Sequence, residues 1–148
     1  MSATGKCLCG RIHYTFEHPS SALDVCHCKN CQRQSGAAFV PFLAVPLGVF
    51  HLEGSPNCYG DDDTESGKTV ARYFCGDCGS PVYVVVESAP NTAYVAVGTL
   101  DDTRNLTPKC HGWTASKQRW VHIADGAPQH EFEPHLQPEA AVTAAETE

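Results

Sequence analysis

Three short groups of cysteine hold the side chains best suited to chemistry: Cys7-Leu8-Cys9, then Cys26-His27-Cys28-Lys29-Asn30-Cys31, then Cys75-Gly76-Asp77-Cys78. They take seven of the nine cysteines in 148 residues, leaving Cys58 and Cys110 alone. Thiols at CxC and CxxC spacing either cross-link or bind metal, and the compartment decides between the two. The opening Met-Ser-Ala-Thr-Gly-Lys has no apolar stretch of the kind that directs export, so a reducing, cytoplasmic setting is expected. Metal is therefore the expected role of the clustered thiols, and zinc is an ion that their softness suits.

A closed structural zinc site takes four ligands, and CxC followed much later by CxxC supplies them as two knuckles. Cys7, Cys9, Cys75 and Cys78 are read as that set rather than as buried core thiols, because both pairs sit in glycine-flanked turns. Such a site would tie the first strand to the middle of the sheet and be needed for folding. Cys26, Cys28 and Cys31 then remain as three ligands, the number at which catalytic zinc keeps a position for water or substrate. A thiol bound there is held as thiolate at neutral pH. Three thiolates also weaken the ion as a Lewis acid, which favours thiol handling over carbonyl activation. His27, His111, Cys58 or Cys110 could instead close the site. His27 lies between two ligands and is expected to point away from the metal. His111 is the stronger candidate, as a ligand or as an acid/base group beside it. Arg33 could pair a substrate carboxylate through its forked guanidinium, or simply form a surface ion pair.

The formal net charge is −7 before thiolates are counted. A Cys₄ zinc site adds about −2 and a Cys₃ site about −1. Such a field repels phosphate backbones and acidic membrane surfaces, so neither nucleic acid nor membrane is an expected partner. No run approaches the length of a membrane-spanning helix. The run Asp61-Asp62-Asp63 is read as a solvated charge run rather than a hard-metal site.

The elements that must position these groups read as mainly β, a meander of small sheets with metal knuckles on hairpins. Residues 10–16 alternate, with Ile12, Tyr14 and Phe16 on one face. A short strand at 22–25 leads into the triplet, and 29–34 forms a helical turn stopped by Ser35-Gly36. Pro41 demotes 37–45 to an edge or bent strand. Residues 50–53 make another short strand, and 54–67 an exposed, mobile loop. A strand at 69–74 delivers Cys75, and 82–87 and 93–97 continue the meander. Residues 100–109 read as irregular, and Trp113 and Trp120 as core. One domain over 1–133 is expected, followed by a disordered tail at 134–148.

Three stretches together resemble the glutathione-dependent formaldehyde-activating (GFA) family, whose relatives include centromere protein V. They are Gly5-Lys6-Cys7-Leu8-Cys9-Gly10-Arg11-Ile12, then Cys26-His27-Cys28 with Cys31-Gln32-Arg33 and Ser35-Gly36, then Phe74-Cys75 with Cys78-Gly79-Ser80-Pro81. Pro108 with His111, Lys117 with Trp120, and Asp125-Gly126 are similar to that family's closing motif. The resemblance implies a β-tent fold of antiparallel sheets with two zinc ions. One would be structural on Cys7, Cys9, Cys75 and Cys78, and one catalytic on Cys26, Cys28 and Cys31. It also implies a carbon–sulfur lyase that forms S-(hydroxymethyl)glutathione from formaldehyde and glutathione. Gly112 departs from the apolar residue usual after the histidine, and the acidic 61–63 loop is a second departure; both could alter what the pocket accepts. A reading from another class is a non-enzymatic zinc module for thiol binding or protein interaction. The acidic balance and the lack of basic tails argue against it.

Overall fold

β-Branched and aromatic runs set most of the strands. A computed structural model describes residues 2–17 and 19–134, and within them ten strands form two sheets. β1 (Ser2–Lys6), β2 (His13–Glu17) and β5 (Phe50–Glu53) make a three-stranded sheet in the order β1-β2-β5. The larger sheet holds β3 (Ala22–Cys26), β4 (Val40–Pro46), β6 (Asn57–Asp61), β7 (Val70–Phe74), β8 (Pro81–Val86), β9 (Thr92–Ala96) and β10 (Thr107–Gly112). Its order is β10-β3-β4-β9-β8-β7-β6. Every pairing between these strands is antiparallel except β10 along β3.

The alternation of β2 buries Tyr14 and Phe16 in a cluster with Phe50 of the small sheet and Leu43, Val45, Val82 and Val95 of the large one. Tyr14 and Phe50 meet at 5.2 Å within the small sheet, and the 5.1 Å contact of Phe50 with Tyr83 joins it to the large one. Each large apolar side chain buried here contributes about 1.5–3 kcal/mol relative to exposure. Cys7 and Cys75 belong to the same cluster. Gly5 lets β1 close onto it: a Cβ there would run into the Tyr14 ring and the Thr99 carbonyl. The Tyr14 hydroxyl shares a 2.6 Å hydrogen bond with Thr99 Oγ1.

The expected helical turn is α1 (Lys29–Ser35). Cys28 caps its start, and Gly36 ends it at φ 71°, where a left-handed residue closes the last turn.

Four expectations need correction. The segment around Pro41 is not an edge strand, since β4 lies between β3 and β9. Pro41 is tolerated because pairing with β9 begins only at Phe42, leaving proline partnered on one side. The loop read at 54–67 contains β6, the edge strand of the large sheet, held by β7. Part of the stretch read as irregular is β10, whose parallel pairing with β3 needs no local period-two pattern. Trp120 is 68% exposed and so is not core. Among the described residues no helix is long and apolar enough to cross a membrane. The tail expected to be disordered falls, apart from Pro134, outside the described residues.

Candidate metal centres and active site

The two outer cysteine pairs are carried on matching turns. In the first, the Cys7 N–H donates to Ile12 O at 2.9 Å and Gly10 N–H to Cys7 O at 3.1 Å. In the second, the Cys75 N–H donates to Ser80 O at 3.0 Å and Gly79 N–H to Cys75 O at 2.8 Å. Gly10 and Gly79 hold φ near +80°, a conformation that favours glycine. The turns bring the sulfurs of Cys7, Cys9, Cys75 and Cys78 within 4.8 Å of one another. Cys7 to Cys9 is 3.6 Å and Cys9 to Cys75 is 3.8 Å. A tetrahedral thiolate site with bonds of about 2.3 Å has sulfur–sulfur edges of about 3.8 Å, so the four residues fit one metal ion.

Donors already face these sulfurs. The Ser80 hydroxyl, then the backbone N–H groups of Ser80 and Cys9, draw Cys78 down to about 5. Burial pulls Cys7 upward, but the Ile12 N–H and the thiols of Cys9 and Cys75 leave it lowered overall.

The central triplet spans three local structures. Cys26 ends β3, Cys28 caps α1, and Cys31 sits in the first helical turn. Their sulfurs lie within 4.8 Å of one another, and among the described residues no fourth His, Cys, Asp or Glu joins the group. Contacts from Cys26 and then Cys31 draw Cys28 down to about 2, helped by the Cys31 N–H and the Arg72 charge. The same contacts push Cys26 upward. One negative charge is thus shared unevenly among three close sulfurs, an arrangement that a bound cation would relieve. All three cysteines line a cavity of about 240 Å³.

The guanidinium beside this triplet is Arg72, in the middle of β7 and only 4% exposed. Its Nε donates to Asp61 Oδ2 at 2.8 Å and its Nη1 to Gln34 Oε1 at 3.0 Å, with Nη1 also 3.7 Å from Cys31 Sγ. Asp61, 6% exposed, accepts in addition from Asn30 Nδ2 at 2.9 Å. The reading of Asp61 as part of a solvated run is therefore wrong: Arg72 draws it inward. A lone arginine in the apolar run Val70-Ala71-Arg72-Tyr73-Phe74 was the available signal. Arg33 is exposed and borders a separate depression with Tyr59 and Asp63; Arg72 and Asn30 stand between the two hollows.

His111 does not line the cavity. Its Nε2 is 2.8 Å from Asp125 Oδ2 and its Nδ1 is 2.9 Å from His27 Nε2. The carboxylate accepts, so His111 carries its proton on Nε2, and its Nδ1 accepts a hydrogen bond from the His27 Nε2–H. His27 Nδ1 is left as a fully buried lone pair without a partner. Burial, then the neighbouring His111 and Lys117, pushes His27 down to about 4, which keeps it neutral at neutral pH. His27 thus points away from its flanking thiols into the protein, with its ring 5.3 Å from Phe39. The loop is braced further by Gln32, whose Nε2 donates to His27 O at 2.8 Å and Ser116 O at 3.0 Å.

Gly112 pairs with Cys26 across β10 and β3, and a Cβ on it would meet Pro134 at 2.8 Å. The returning chain occupies the space of a side chain there. Trp113 adopts a left-handed conformation at φ 57° and, like Pro134, borders the cavity instead of packing the core.

The model of the glutathione-dependent formaldehyde-activating enzyme family matches residues 2–116. A crystal structure of a Rhodobacter sphaeroides protein is similar in fold, with TM-score 0.52 and 19% identity over 86% of this chain and 98% of that one. No curated protein matches the sequence.

Proposed function

The chain belongs to the glutathione-dependent formaldehyde-activating family, and from that premise we propose a zinc-dependent carbon–sulfur lyase that handles a thiol–aldehyde adduct such as S-(hydroxymethyl)glutathione. The observation that carries this reading is a group of three sulfurs, without a fourth donor among the described residues, opening into a cavity. Zinc on Cys26, Cys28 and Cys31 would supply a position where a substrate thiol loses its proton at neutral pH. A second zinc on Cys7, Cys9, Cys75 and Cys78 would be structural. In the synthetic direction a carbon–sulfur bond forms at the aldehyde carbon, the carbonyl π pair moves to oxygen, and the thiol proton ends on that oxygen.

The protein's own residues set the conditions. Arg72 balances thiolate charge beside Cys31, and Asp61 fixes its orientation. His111 serves as a positioning residue, holding His27 and so the loop between Cys26 and Cys28. Arg33, exposed beside the other depression, has no role in this scheme. The cavity walls include Phe42, Val84 and Tyr94, which limit water around the sulfurs.

Magnetisation-exchange NMR on formaldehyde and glutathione tests the reading. The wild type is expected to accelerate exchange between free and adduct forms, and Cys28→Ser to return it to the uncatalysed rate. Equal exchange with both proteins would reject an enzymatic role.

A further inference from the structure

Resting on the thiol-handling reading, we propose that Lys68 recognises the thiol substrate by a carboxylate remote from its sulfur, and that Glu133 holds this position until substrate takes it. Among the described residues two cations line the cavity, Lys68 and Arg72. Arg72 is committed elsewhere. Its side chain is 5% exposed and turned to Asp61, Gln34 and Cys31. Drawing it to a substrate would strand Asp61 as a buried, unpaired charge. Arg33, the sequence's candidate for pairing a substrate carboxylate, borders the separate depression. Lys68 is held far more loosely. Its pair with Glu133 spans 3.6 Å, and the two side chains are 43% and 40% exposed. A pair so open to water is weak, and one carboxylate replaces another there at small cost. The ammonium also has three donors, enough to keep contact with Glu133 while taking a second carboxylate.

The backbone beneath Lys68 is fixed. Thr64 Oγ1 donates to Lys68 O at 2.6 Å, and the Lys68 N–H donates to Ser66 Oγ at 3.2 Å. Thr64, Glu65 and Ser66 line the cavity with it. The chain that carries Glu133 is anchored too, since the Trp113 N–H donates to Phe132 O at 3.0 Å and the two rings meet edge to face. Lys68, Val70 and Arg72 all face the cavity, and Arg72 reaches Cys31. Four residues of extended chain cover up to roughly 13 Å, so Lys68 stands well away from the sulfurs. A carboxylate two carbons from a bound sulfur falls short of it. One carried a residue further along a peptide, as in glutathione, comes within reach of the long lysine arm. The cavity thus reads the separation between thiol and carboxylate.

The test is a binding titration of the full chain with Co²⁺ in place of zinc, read by the sulfur-to-metal charge-transfer band. The probes are glutathione, 3-mercaptopropionate and the uncharged 2-mercaptoethanol. Because free thiols differ in acidity, the deciding quantity is how each affinity, relative to 2-mercaptoethanol, changes on substitution. Lys68→Met is expected to weaken glutathione about fivefold on this scale, and Lys68→Arg to keep most of the wild-type value. Glu133→Gln should act in the opposite sense and tighten glutathione about twofold, because the competing carboxylate is gone. 3-Mercaptopropionate should be indifferent to all three. The assignment is overturned if Lys68→Met leaves glutathione unchanged, or if Glu133→Gln weakens it. It is overturned equally if 3-mercaptopropionate loses as much as glutathione, since a general field and not a contact would then be at work. If glutathione does not perturb the band of the wild type, the thiol-handling reading itself falls and takes the assignment with it.

Discussion

In the quartet, sulfurs from two turns meet across 66 residues of chain, and two of the four lie deep in the core that joins the sheets. In the triplet, sulfurs from six consecutive residues meet at the wall of a cavity, beside a buried arginine. The side chain is the same and the surroundings divide the work. Four sulfurs faced by backbone and hydroxyl donors could fill the coordination shell of one metal ion and leave no place for anything further. Three thiolates with one cation behind them leave a face towards the cavity. Ligand number is thus set by how many elements converge, and charge balance by what stands behind them.

The sharpest way to break this contrast is to remove one sulfur from each group. Cys75→Ser is expected to abolish folding, because a structural thiolate site contributes on the order of 10 kcal/mol. Circular dichroism and metal content per chain would show it. Cys28→Ser should stay folded with one metal lost; if it unfolds as readily as Cys75→Ser, the two groups do not differ in kind.

A smaller effect is expected at Arg72. Arg72→Met strands the buried Asp61 carboxylate and should cost about 3–5 kcal/mol in denaturant unfolding. Adding Asp61→Asn should recover part of that loss, and a strictly additive double variant would show that the pair is not coupled. On the quartet side, Gly5→Ala forces β1 away from Tyr14 and should cost about 1–3 kcal/mol while the triplet keeps its metal. Loss of triplet metal in that variant would mean that the two centres are not independent.

The smallest effect concerns the brace behind the triplet. The hydrogen bond from His111, then the Ala127 N–H, holds Asp125 below its ordinary 3.8, so the folded chain binds fewer protons than the unfolded one in that range. The stabilisation is therefore present above the unfolded value and lost as pH falls through the lower folded one. The difference in denaturation midpoint between wild type and Asp125→Asn should stay level from about pH 7 to about pH 5 and close only below the ordinary carboxylate value. A gap that varies across neutral pH would point to another group.

Much of this was legible in local pattern. The alternation of Ile12, Tyr14 and Phe16 marked the buried face of β2, and Ser35-Gly36 marked the end of α1. The spacing of the cysteines grouped them as the folded chain does. What escaped depends on partners far along the chain. Asp61 is indistinguishable from Asp62 and Asp63 until Arg72 reaches it from the neighbouring strand. β10 forms because β3 offers it an edge, not because residues 107–112 alternate. His27 turns inward because His111 and Asp125, 84 and 98 residues later, supply an acceptor for its proton. Gly112, a departure from the family pattern, makes room for Pro134 after the chain has turned back.

The separation of the quartet's two halves also orders events during synthesis. A ribosome adding roughly 5–20 residues per second releases the triplet complete, but Cys9 must wait several seconds for Cys75. Arg72 emerges only three positions before Cys75. For that interval the nascent chain carries three clustered thiols without their guanidinium or the sheet that shelters them. Oxidation of newly made protein should therefore fall on Cys7, Cys9 and the triplet before Cys75 and Cys78, and early metal capture at Cys26, Cys28 and Cys31 would protect that part of the chain before its fold can.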